Sequence, residues 1–143
     1  LALCEELTRE LPHVTANWRE MSRSLLQLAR MHKKLQQGDE ELAALCKAAM
    51  IYERLVTQNP DAIDTMREFA QACTTIAELH QRHARLEDSL VYYDMALEYY
   101  DKAESLWSEV ARRIPADQLS QSRERMVHTA SALIRERISE PTN

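Results

Sequence analysis

Between Val14 and Gln36 the positions Trp18, Met21, Leu25, Leu28, His32 and Leu35 recur at spacings of three and four. That period places them along one side of a helix. The same spacing returns in Leu42, Leu45, Ala49, Tyr52, Leu55 and Val56, and again in Met66, Phe69, Cys73, Ile76 and His80. A broader apolar sector covers Leu90, Tyr93, Ala96, Leu97, Tyr100, Ala103, Leu106, Trp107, Val110 and Ile114. A last stripe holds Leu119, Met126, Val127, Ala130, Leu133, Ile134 and Ile138. Pro12, Gly38-Asp39, Asn59-Pro60-Asp61 and Pro115 interrupt the pattern. Six helices follow, over about 2–10, 14–36, 39–57, 60–83, 87–113 and 116–138. At the second break glycine suits a left-handed residue after a helix, and Asp39 suits a cap for the next one. At the third, Asn59 reads as a cap with Pro60 at the first helical position.

The helix that starts near Asn59 repeats an earlier stretch. Cys4–Leu35 set over Tyr52–His83 without a gap, a shift of 48 residues, pairs identical residues at Glu5/Glu53, Leu7/Leu55, Pro12/Pro60, Arg19/Arg67, Glu20/Glu68, Ala29/Ala77 and His32/His80. Met21/Phe69, Leu28/Ile76, Met31/Leu79 and Lys34/Arg82 keep their chemistry. The alignment also places a turn at 83–88 opposite Leu35–Glu40, although 83–88 contains neither glycine nor proline. Repetition at this interval is the mark of stacked helical units that bury together what each cannot bury alone. The units run about 4–51 and 52–114, with a terminal helix at 116–138, in one domain. The chain opens at Leu1 within a repeat, which suggests a piece of a longer protein.

Composition narrows the class to all-α. One glycine and four prolines among 143 residues leave little for hairpin turns,. Eighteen basic and 23 acidic residues give a formal charge of −5, which argues against nucleic-acid binding by the surface as a whole. Arg112, Arg113, Arg123, Arg125, Arg135 and Arg137 could form a local basic patch, but they alternate with acids and lack aromatic platforms,. The three cysteines, Cys4, Cys46 and Cys73, sit in apolar helical patterns without a CxxC pair, as buried thiols of a reducing, cytoplasmic setting would,. No apolar run is long enough to span a membrane.

The paired helices resemble the tetratricopeptide repeat family over about residues 25–115. Ile76-Ala77, His80, Tyr93 and Ala96 carry the resemblance best; Leu28-Ala29, His32 and Ala49, followed by Asn59-Pro60, repeat it. The interval here is longer than the family's usual unit of about 34 residues. Alanine replaces its glycine at positions 29 and 77, and histidine stands where tyrosine is usual. The resemblance implies a right-handed α-solenoid of antiparallel helical hairpins, a scaffold whose first helices line a groove that binds a partner protein or peptide. On that reading Arg23, Gln27, Arg30, Lys33 and Lys34 line the groove from one helix, and Gln71, Thr74, Thr75, Glu78, Gln81 and Arg82 from its repeat. Arg30, Lys33, Lys34 and Arg82 make it locally basic, so an acidic segment is the expected ligand. The plain alternative is that these residues are solvated helix faces. Where some relatives clamp a C-terminal carboxylate with lysine and asparagine, this chain has Leu26 and Arg30.

Other chemistry finds little footing. A single glycine rules out a P-loop or dinucleotide fingerprint, and no G-x-S-x-G elbow occurs,. Carboxylates read as helix-surface partners of basic residues, as with Glu109 and Arg113. Enzymatic activity is therefore not expected, nor is a cofactor. His80 and His83 share a helix face, and Glu10 and His13 spell Glu-x-x-His. Pro12 breaks the latter, and the recurrence of His32 as His80 reads as packing, so no metal site is expected. Tyr92, Tyr93, Tyr99, Tyr100 and Trp107 offer either core or a partner surface. Self-association as an oligomerisation or regulatory segment of a larger protein is the alternative function, and a helical nucleic-acid-binding module the second.

Overall fold

The computed structural model describes residues 15–87, 90–116 and 118–139. Every element among them is an α-helix: α1 (Thr15–Lys34), α2 (Gly38–Gln58), α3 (Ile63–Glu87), α4 (Leu90–Arg113) and α5 (Gln118–Ser139). The helix expected at 2–10 lies outside the described residues, as does Cys4. No described helix is long and apolar enough to cross a membrane. The chain divides into two compact units, Leu1–Thr65 and Met66–Asn143, with the boundary in the first turn of α3.

In the first unit α1 packs on α2. The turn between them differs from the sequence expectation. Gln36, not Gly38, takes the left-handed conformation, with φ of 58°, and Gly38 opens α2 at negative φ. The N–H of Gln37 donates to the His32 carbonyl at 2.8 Å and that of Gln36 to the Lys33 carbonyl at 3.1 Å. This is a Schellman closure, which satisfies two of the carbonyls that end a helix. The His32 ring adds a bond from Nδ1 to Gln37 Oε1 at 2.6 Å. Asp39 is not the cap. Gln37 precedes α2 without a side-chain cap bond, and Asp39, Glu40 and Glu41 occupy its first turn, where acidic groups favour the positive helix end,.

Proline also acts earlier than expected. Asn59-Pro60-Asp61 forms a turn in which the Ala62 N–H donates to the Asn59 carbonyl at 3.1 Å, and α3 starts only at Ile63. Pro115 stands in the same relation to α5, three residues before Gln118. In both places the fixed φ of proline serves the turn rather than the helix.

The stripe expected on α1 is rotated. Trp18, Ser22 and Ala29 are buried, whereas Met21 is 47%, Leu28 42% and Met31 59% exposed. Leu35 is exposed as well. On α3 the expected stripe Met66, Phe69, Cys73, Ile76 and His80 is buried throughout, together with Ala70, Ala72, Thr74, Ala77, Leu79 and Ala84. Alanine at four of those places lets neighbouring backbone approach closely. The helix runs through 83–87, so the turn expected at 83–88 does not interrupt it there. A helical segment with no glycine or proline has nothing local to stop it.

In the second unit the contacts run in opposite senses along neighbouring helices, which makes them antiparallel. Trp107 meets Thr74 and Tyr100 meets Gln81 between α4 and α3. Arg135 meets Asp101 and His128 meets Glu104 between α5 and α4. On α4, Tyr93, Ala96, Tyr100, Ala103, Trp107 and Val110 are buried as expected, but Leu90 is exposed. On α5 Val127 and Ile134 are buried as expected, joined by Ser120 and Ser131, whereas the expected Leu119, Met126 and Leu133 face solvent.

Gln36→Gly relieves a side chain held in the left-handed region and should stabilise the fold by about 0.5–1 kcal/mol. The check is an upward shift of the urea midpoint; a downward shift would show that the Gln36 side chain contributes more than its backbone costs.

Candidate functional site

The polar residues expected to face a ligand fall into two groups. On α1, Arg23, Gln27, Arg30, Lys33 and Lys34 are all exposed. Arg23 lies 4.0 Å from Glu20 one turn away. Lys33 and Lys34 end the helix, where a cation suits the negative end of the helix dipole,.

On α3 the residues separate. Glu78 and Arg82 are exposed, Gln71, Thr75 and Gln81 half-buried, and Thr74 is 1% exposed. Thr74 faces the interior. Its hydroxyl donates to the Ala70 carbonyl at 2.9 Å and accepts the Trp107 indole N–H at 3.2 Å. Gln81 accepts the Tyr100 hydroxyl at 2.8 Å. Burial and the nearby Glu78 carboxylate push that phenol up to about 12, so it stays a donor,. Thr74 and Gln81 thus tie α3 to α4. Gln71 opens instead onto a cleft of about 350 Å³ between α3, α4 and α5, lined also by Arg67, Glu68, Trp107, Leu119, Ser120 and Arg123. The Arg123 guanidinium lies 5.6 Å from the centre of the Trp107 ring, a cation–π contact,.

His80 is 3% exposed, stacked on Tyr99 at 5.9 Å and Tyr92 at 6.5 Å, and its Nδ1 has no hydrogen-bond partner. His83 meets the edge of Tyr92 at 5.7 Å. Burial lowers the His80 pKa first, and the charge of His83 adds to it; Glu98 opposes both,. Tyr92 and Tyr99 are therefore engaged with α3, as Tyr93, Tyr100 and Trp107 are with the core.

Glu109 holds the expected Arg113 at 2.7 Å and also Arg112, through Nε at 3.0 Å. These hydrogen bonds bring the Glu109 carboxyl down to about 2,. A second depression, of about 550 Å³, lies over α4 and α5 at Glu104, Glu124, Arg125, His128 and Thr129, with His128 Nδ1 2.8 Å from Glu104 Oε1. Cys73 is buried and Cys46 half-buried, each as a thiol. Among the described residues no group of three or more His, Cys, Asp or Glu is placed to hold a metal ion. Glu10 and His13 lie outside them.

From sequence, Arg123 stood only in a possible basic patch with its neighbours, Arg67 only in the alignment with Arg19, and Trp107 only as core or partner surface. Comparison of the chain with family models, with curated protein sequences and with solved structures finds no match.

The folded state keeps His80 neutral below the usual histidine value of about 6.5, so over that interval the unfolded chain binds more protons. Stability is then full above about pH 6.5, falls as pH drops toward the lowered folded value, and levels off beneath it. His80→Phe removes this component. Thermal melts at neutral and mildly acidic pH should show a smaller loss for the variant than for the wild type; equal losses would place the proton elsewhere.

Proposed function

We propose that the chain is a stretch of tetratricopeptide-like α-solenoid that serves as a protein-interaction scaffold in a reducing compartment, with an acidic peptide segment as its ligand. The observation that carries this reading is the outward face of α1. Gln27, Arg30, Lys33 and Lys34 project into solvent there, a run of positive charge on a protein whose formal charge is −5. Such a face gives steering and orientation, with apolar contacts supplying the anchor. Met31 and Leu35, exposed beside those cations, supply them. The antiparallel helices of the second unit and the shared burial of Ala29 and Ala77 agree with stacked hairpins.

Binding of a fluorescein-labelled Glu/Leu peptide, followed by anisotropy at low salt, tests it. Arg30→Glu with Lys33→Glu should weaken binding about tenfold, the sum of modest exposed charge terms, and added salt should reduce the difference. Equal affinity of both proteins for the peptide would remove the basic face from the function.

A second reading, self-association, draws on Leu119, Met126 and Leu133 of α5, exposed at every seventh position. Such a stripe is a seam that another helix can cover, and the occupant it suggests is α5 of a second copy. Sedimentation equilibrium should then give a dimer that Met126→Glu with Leu133→Glu converts to monomer. A wild-type monomer at high concentration would end this reading.

A further inference from the structure

We propose that the cleft between α3, α4 and α5 is an oxyanion site, binding a carboxylate or phosphate monoester presented on a peptide side chain. The site is independent of the α1 face, because all its residues belong to the second unit.

Its volume of about 350 Å³ is within the range that holds a small ligand group, from about 300 Å³ upward. Arg67 from α3 and Arg123 from α5 both line it, together with Glu68. Arginine forks suit planar or tetrahedral oxyanions because two parallel N–H bonds can meet two oxygens.

Pre-organisation separates this pair from ordinary surface arginines. Arg123 lies over the Trp107 ring, and Trp107 is itself fixed by its indole bond to Thr74. The cation is thereby held near the cleft before a ligand arrives, which lowers the ordering cost of binding. Arg67 is half-buried, so its charge is less screened than those on α1. Gln71 supplies a side-chain amide. Leu119, which is exposed, offers apolar surface to the stem that carries the anion. Leu119 also lies in the first turn of α5, whose helix dipole adds positive potential.

The probes are inorganic phosphate and three end-blocked pentapeptides, Ala-Leu-X-Leu-Ala, where X is glutamate, phosphoserine or serine. Each is titrated into ¹⁵N-labelled protein while the Trp107 indole and the amides of 118–123 are followed. The glutamate or phosphoserine peptide should give saturable shifts at these positions, and the serine peptide none. Arg67→Ala and Arg123→Gln should each weaken binding about tenfold or more, the loss of one charge-assisted pair. Arg123→Gln, which keeps most of the side-chain volume, carries the test if Arg67→Ala disturbs folding. The preferred peptide identifies the anion as carboxylate or phosphate. Tighter binding of either anionic peptide than of inorganic phosphate supports a partner-borne group. Free phosphate binding as tightly as both peptides, or affinity unchanged in Arg123→Gln, overturns the proposal. Arg30→Glu with Lys33→Glu should leave this titration unaltered, so the result stands apart from that for the α1 face.

Discussion

One buried hydrogen bond organises the second unit: the Trp107 indole N–H to the Thr74 hydroxyl. A buried indole N–H without an acceptor is costly, and a threonine hydroxyl on the neighbouring helix is a specific remedy. Because Thr74 also donates to the Ala70 carbonyl, its hydroxyl orientation is set by its own helix. The acceptor lone pair then points in a fixed direction, and Trp107 must come to it. The indole in turn carries Arg123 of α5 on its face. Three helices are therefore registered through one side chain. The cleft beside it follows from that registration, since no single helix contains both of its guanidiniums.

What the amino-acid order revealed depended on how apolar each buried line is. On α3 the inner residues are nearly all apolar or small, and the stripe from Met66 to His80 could be read directly. On α1 and α5 the buried line passes through serines, which a hydrophobic pattern counts as polar. Ser22 donates to the Trp18 carbonyl and Ser131 to the His128 carbonyl, each at 3.1 Å. A hydroxyl satisfied by its own helix can be buried where two helices approach closely. Met21, Leu28, Leu119, Met126 and Leu133, beside those lines, meet solvent instead, although Trp18, Val127 and Ile134 are buried where periodicity put them. The turn at 35–37 escaped for a related reason. Glycine is the default left-handed residue, but chain geometry placed that conformation at Gln36.

The candidate sites divide along the same line. The exposed cations of α1 are consecutive turns of one helix, so spacing alone collected them. Arg67 and Arg123 are distant in sequence, and only the antiparallel packing of α3, α4 and α5 brings them to one cleft. Conversely Thr74 and Gln81 had the spacing of a helix face. Their polar atoms are spent on Trp107 and Tyr100, an allocation that no single-helix pattern contains.

The two aligned stretches share one buried line, Trp18 with Met66, Ser22 with Ala70 and Ala29 with Ala77, but not the adjoining one. Phe69, Ile76 and Leu79 are enclosed where Met21, Leu28 and Met31 meet solvent. Substitutions at the enclosed positions would leave cavities or force overpacking. At the open ones most side chains fit. The α1 line therefore tolerates substitution where the matching α3 line does not, so equal pressure on the two helices would leave their sequences unequally constrained.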